Sequence, residues 1–145
     1  MLIERADRVT DELLDALNRL TPQLKIDSPR LTRDGLAGLL ASDSVALLIA
    51  RADESAPILG AATLIVYPTP TGVRARLEDV IVDEFARRGG VASALIQSAL
   101  EVARQRGAGG VALTSNERRE AANRLYLKLG FAVWETNVYY FKFGG

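Results

Sequence analysis

The sequence predicts an α+β fold: a mixed, mostly antiparallel sheet with one parallel strand pair, flanked by about four helices. Apolar runs separated by short turns fill the front half and predict antiparallel strands. From Val80 to Thr114 the chain reads strand, helix, strand. Such a crossover makes two parallel neighbours with a right-handed connection.

Each element follows from its own residues. Thr10 to Leu20 predicts the first helix, with Leu13, Leu14, Leu17 and Leu20 on one face and Asp11 and Glu12 in the first turn. Gln23 to Arg30 reads as a loop, and a second helix with Leu36, Leu39 and Leu40 starts after Thr32, its predicted N-cap. Ser44 to Ala52 and Ile58 to Tyr67 have strand patterns, and PTPTG closes a hairpin onto VRARLEDVIV. After Gly90 the alternation gives way to helical spacing through Val91, Leu95, Ala99 and Val102, with Gly107 as the stop. Val111 to Ser115 predicts a short strand. Glu117 to Leu129 predicts a helix ended by Gly130, and FAVWETNVYYFKF predicts one or two terminal strands. The expected order is thus ααβββαβαβ, within one domain over residues 1–145.

Composition narrows the chemistry. The charges cancel, 18 basic against 18 acidic, so no global field recruits nucleic acid or an anionic membrane. Cysteine and histidine are both absent, which removes thiolate catalysis, the commonest general base and the commonest metal ligands. No metal is expected. MLIERADRVTDELL is charged from its fourth residue and does not read as a signal peptide, and no apolar run is long enough to span a bilayer. A cytoplasmic location is the default expectation.

The stretch DEFARRGGVASAL places two arginines and two glycines between a strand and a helix. Glycines there serve a tight turn that needs positive φ. They also suit an anion site, where unpaired amides and the helix dipole face a phosphate that approaches the backbone. Neither the P-loop pattern nor the dinucleotide fingerprint is present. What remains is R-x-x-G-x-A: Arg87, Gly90 and Ala92.

That pattern, after a strand ending VIVDE, resembles the pyrophosphate loop of the GNAT superfamily of N-acetyltransferases. AANRLYLKLGF, Ala121 to Phe131, is similar to a second motif of the same superfamily, and the element order fits. The resemblance implies a splayed parallel strand pair with acetyl-CoA, the co-substrate, in the cleft. By the resemblance, the backbone of Val80, Ile81 and Val82 would bond the pantetheine and the acetyl carbonyl. The amides of Arg88, Gly89, Gly90, Val91, Ala92 and Ser93 would hold the pyrophosphate, and Arg87 would add charge. Tyr126 matches the family tyrosine proposed as general acid, and it also lies on the apolar face, where a core tyrosine would. Where many members carry a cofactor-touching asparagine, this chain has Arg119, with Asn116 and Asn123 as substitutes. LEDVIV resembles the strand of glucosamine-phosphate acetyltransferases that sets a Glu–Asp pair beside the amine. Glu78, on the face of Val80, is the expected base, and a β-bulge would exchange it with Asp79.

The resemblance implies N-acetyl transfer to a primary amine by direct attack, with a small-molecule acceptor expected. Trp134, Tyr139 and Tyr140 beside Glu135 suit a small cationic amine, and equally a core or a homodimer interface. A protein N-terminal or lysine acetyltransferase, an acyl-CoA-binding module without turnover, and a small interaction domain are the other readings.

Overall fold

The structure is a computed structural model and describes residues 1–144, in two compact units that meet between Thr114 and Ser115. The first unit opens with strand β1, Leu2–Arg5, followed by helices α1, Asp11–Leu24, and α2, Arg33–Ala41. Strands β2, Val45–Arg51, β3, Ile58–Thr69, and β4, Gly72–Val82, come next, then a short 3-10 turn, Glu84–Ala86, and helix α3, Val91–Gln105. The sheet order is β1-β2-β3-β4, with every neighbouring pair antiparallel.

Local chemistry sets the helix starts. Thr10 caps α1 by accepting from the Leu13 amide at 3.1 Å, and Thr32 caps α2 by accepting from Gly35 at 3.0 Å. Helix α1 runs four residues past its expected end, carrying Pro22 inside it, and the Lys25 amide closes on the Thr21 carbonyl. Proline removes one helix bond, but Leu24 beyond it packs against the same core as Leu13, Leu17 and Leu20 and holds the last turn.

The sheet buries both faces. Under α1 and α2 lie Leu47, Ile49, Ala61 and Ile81, packed with Leu13, Leu17, Leu20 and Leu36. Helix α3 packs on β3 and β4 from the other side, where Leu95, Ile96 and Ala99 are fully buried. Gly60 lets this layer close. A Cβ there would sit 2.7 Å from the Ile81 carbonyl oxygen and 3.1 Å from Val91 Cγ1.

Two differences from the expected order fall in this unit. Strand β1 was not anticipated, because four residues are too few to show a period. It is recruited by pairing to β2 and by Arg51, whose Nε donates to Glu4 at 2.7 Å. The expected strand at Val111 is reduced to one bridge, between Arg76 and Ala112, and it is parallel as predicted. Leu77 N donates to Ala112 O at 2.9 Å, and Ala112 N donates to Ala75 O at 3.0 Å.

The second unit begins at Ser115 and holds helix α4, Glu120–Lys128, shorter than expected at its start. Gly130, at φ +101°, ends the helix. Residues 131–144 carry neither helix nor strand, against the expected terminal strands. A strand needs a neighbour's backbone groups, and this unit contains no other strand to supply them. Val133, Trp134, Tyr139, Tyr140, Phe141 and Phe143 of this segment are all exposed. No helix among the described residues is long and apolar enough to cross a membrane.

Candidate functional site

Strand β4 carries an irregularity where chemistry was expected. Ala61 pairs with Ile81 and Thr63 with Glu78, so a single residue of β3, Ala62, faces two of β4, Asp79 and Val80. This is a β-bulge, and it turns Asp79 into the left-handed region at φ +49°. Aspartate tolerates that region better than most residues. The two adjacent carboxylates stay close enough to repel each other but take different partners. Glu78 accepts from Arg76 Nε at 3.1 Å, whereas Asp79 lines a cavity of about 340 Å³. Thr63 and Ile81 line the same cavity, as do residues of α1, α2 and the chain joining them. Asp79 stays largely exposed to solvent, yet loss of hydration at the cavity wall, with repulsion from Glu78 adding to it, pushes its carboxyl above the ordinary range.

The outer edge of β4 is open where the sheet would otherwise continue. Among the described residues its parallel pairing stops at Arg76 and Ala112, leaving Ile81 and Val82 paired with β3 on the inner edge and Val80 in the bulge. Arg87 folds back so that its Nε donates to the Val82 carbonyl at 3.2 Å.

The glycine turn then starts α3. Gly90 occupies the N-cap position at φ +84°, ψ 6°, and no side chain caps the helix. The amides of Val91, Ala92 and Ser93 therefore receive no acceptor from a capping side chain, at the positive end of the helix dipole. Arg88 is also left-handed, at φ +67°, and it is exposed together with Gly89 and Gly90. A Cβ placed on Gly90 would meet no protein atom within 4 Å, so the space before the helix is open.

One residue that sequence reasoning missed joins these parts. Asp83, directly after β4, is 3% exposed and accepts from Arg19 Nε and from Gln23 Nε2, each at 3.1 Å. Arg19 also donates to the Ile58 carbonyl at 2.7 Å, and Gln23 Oε1 accepts from the Glu84 amide at 3.0 Å. Helix α1 is thereby fastened to the turn that leads into α3. An aspartate behind an apolar strand was visible in VIVDE, but its partners lie 64 and 60 residues away.

In the second unit, Tyr126 is buried at 9% exposure, and its ring meets Phe131 edge-on at 5.8 Å. Phe131 N donates to the Tyr126 carbonyl, which fastens the turn after the helix. Asn116 and Asn123 are brought together. Asn123 Nδ2 donates to the Asn116 carbonyl at 3.0 Å and to the Arg119 carbonyl at 2.9 Å, so its donors tie down the loop.

Comparison with known proteins finds chains of similar sequence and fold. The chain is 40% identical over 81 residues to a glucosamine 6-phosphate N-acetyltransferase of Trypanosoma brucei brucei, covering 54% of this chain and 53% of that protein. The match thus spans about half the length of that curated relative. Among solved structures, an acetyltransferase of Trypanosoma brucei superposes with a TM-score of 0.76 at 26% identity, covering 97% of this chain and all of that one. An aminoglycoside acetyltransferase from an uncultured soil metagenomic sample reaches 0.83 at 18% identity, covering 99% and 96% of the two chains. The latter likeness speaks for the fold alone. The family model described as acetyltransferase (GNAT) matches residues 10–131, from the Thr10 cap of α1 through the glycine turn to Phe131, and the chain belongs to that acyltransferase family.

Proposed function

We propose that this protein is an acetyl-CoA-dependent N-acetyltransferase that modifies a small-molecule primary amine by direct attack. The observation that carries this reading is the uncapped, left-handed Gly90 start of α3, beside a β4 edge left open beyond Leu77. Both features fit acetyl-CoA. Open amides and open space at the helix start suit a pyrophosphate, and unpaired strand backbone suits the amide groups of pantetheine. The amides from Arg88 to Ser93 would hold the phosphates, and the backbone of Val80, Ile81 and Val82 would hold the pantetheine arm. When bound, acetyl-CoA supplies a thioester whose carbonyl carbon the amine attacks.

An alkyl ammonium has a pKa near ~10, so the amine must lose a proton before it can attack. Asp79 is the residue we assign to that proton, directly or through one water. It lines the cavity beside the bulge, while Glu78 is engaged by Arg76. A carboxyl pushed upward also lies closer to the pH at which a base works. Tyr126 is proposed as the acid that protonates the departing sulfur, on the strength of its place in the LYLKLGF motif. With neither cysteine nor histidine in the chain, an acetyl-enzyme intermediate has no ready carrier. We read residues 1–145 as one acetyltransferase domain, since the family match runs through the junction of the two compact units.

The names of the relatives, a glucosamine 6-phosphate and an aminoglycoside acetyltransferase, support a small-molecule amine. The test is a thermal-shift series with acetyl-CoA, dephospho-CoA, ATP and NAD. A ligand at 100-fold its Kd adds ~2.7 kcal/mol to stability, and acetyl-CoA alone is expected to do so strongly. Equal stabilisation by ATP or NAD, or none by acetyl-CoA, would remove the reading.

A further inference from the structure

The cavity beside the β4 bulge has walls unlike those that a sugar amine requires. Its volume of about 340 Å³ gives room for roughly ten non-hydrogen atoms at the density of liquid water. Leu17, Leu24, Leu31, Leu39, Leu47 and Ile81 make the apolar part of its wall, so α1, the chain after it and α2 all present leucine to the same space, and Thr21, Ser28 and Thr63 are the lining residues with hydroxyls. Charge is sparse. Among the lining side chains only Lys25 and Asp79 ionise.

These walls discriminate between kinds of amine. A polyhydroxylated ring would have the hydroxyls of Thr21, Ser28 and Thr63 as partners on one side and leucines on the other, and each of its hydroxyls set against leucine weakens binding. A polycation would find one carboxylate for several ammonium groups. A monoamine on a hydrocarbon body meets both demands, with its nitrogen at the polar end and its carbon skeleton against the leucines.

We propose that the acceptor is a primary monoamine with an apolar body, an arylalkyl or branched alkyl amine. Its nitrogen is held at Asp79 and its body lies against the α1 and α2 leucines. This rests on the acetyl-transfer reading above and narrows its substrate. It departs from the acceptors named for the relatives, because those names carry no information about the walls of this cavity.

The experiment follows CoA release with a thiol reagent, and the cysteine-free chain contributes no background. The full chain is given acetyl-CoA with phenethylamine, isoamylamine, glucosamine 6-phosphate, an aminoglycoside, or a peptide with a free leucine N-terminus. The expected result is a kcat/KM for the two monoamines at least about tenfold above all others, the scale on which a hydrophobic pocket discriminates. Ser28 lines the cavity and its hydroxyl has no hydrogen-bond partner, so Ser28→Phe fills space without removing a bond. That variant should lose at least about tenfold on phenethylamine and bind acetyl-CoA unchanged by calorimetry. Should Ser28→Phe not fold, Leu31→Gln makes the wall polar and is expected to act in the same direction. Preference for the sugar amines or the peptide overturns the inference, and so does acetyl-CoA binding with no monoamine acetylated. A chain that fails to bind acetyl-CoA at all sinks the transferase reading itself, and this inference with it.

Discussion

A single misaligned residue decides which of two neighbouring carboxylates meets the cavity. Without the bulge, Glu78 and Asp79 would take the two faces by simple alternation. With it, Asp79 reaches the cavity while Glu78 is held by Arg76. Asp79→Asn should lower kcat by about 10²-fold or more, the usual weight of a proton-transfer group, and Glu78→Gln by less than about tenfold. The reverse order would return the role to Glu78. Stability gives a second readout. A carboxyl raised in the folded state contributes favourably below its unfolded value, near ~3.9, and loses that contribution as pH rises through the folded value. The ionised Asp79 therefore costs stability at neutral pH. Asp79→Asn should melt higher than the parent at pH 7, with the difference fading as the pH approaches 4; an equal or lower melting temperature at pH 7 would contradict this. Asp83 presents the opposite case, a buried carboxylate satisfied by partners. Arg19→Ala leaves its carboxylate with Gln23 alone and should destabilise the protein by about 3 kcal/mol in chemical denaturation.

At the scale of elements, the turn into α3 combines backbone conformation with open space. Gly90→Val would suffer at φ +84° even though its Cβ would meet no protein atom within 4 Å. A strain of about 1–3 kcal/mol is expected in stability. A separate loss of acetyl-CoA affinity is expected because the added carbons would occupy the space the phosphates need. A folded Gly90→Val that binds acetyl-CoA as the parent does would exclude the turn from the site. This turn was legible in the sequence because glycine at a helix start has a local physical cause. The Thr32 cap and the Gly107 and Gly130 stops were legible for the same reason, whereas Thr10, read as the first helical residue, is the cap. The bulge was foreseen only as an alternative, since register depends on a partner strand that lies elsewhere in the chain. The Arg19–Asp83 pair and strand β1 were not foreseen at all. Each is created by tertiary contact, and neither leaves a period or a motif behind.

For the molecule as a whole, Tyr126 is both a buried residue and the acid of the proposed reaction. Tyr126→Phe should keep the edge-on packing against Phe131 and the affinity for acetyl-CoA, and reduce kcat by at least about tenfold. Full kcat in that variant, measured with an accepted amine, would make Tyr126 a packing residue. The exposed terminal segment carries another consequence, for how the protein can be watched. Trp134 is the only tryptophan in the chain and it is 74% exposed. Tryptophan emission from the entire protein therefore originates in the terminal segment and reports on nothing else. It should lie at the red, water-exposed end and be quenched readily by iodide in dilute solution. Anything that covers these aromatics would move the emission to the blue and shield it from quenching, giving a label-free signal for a stretch whose aromatic side chains the fold leaves bare.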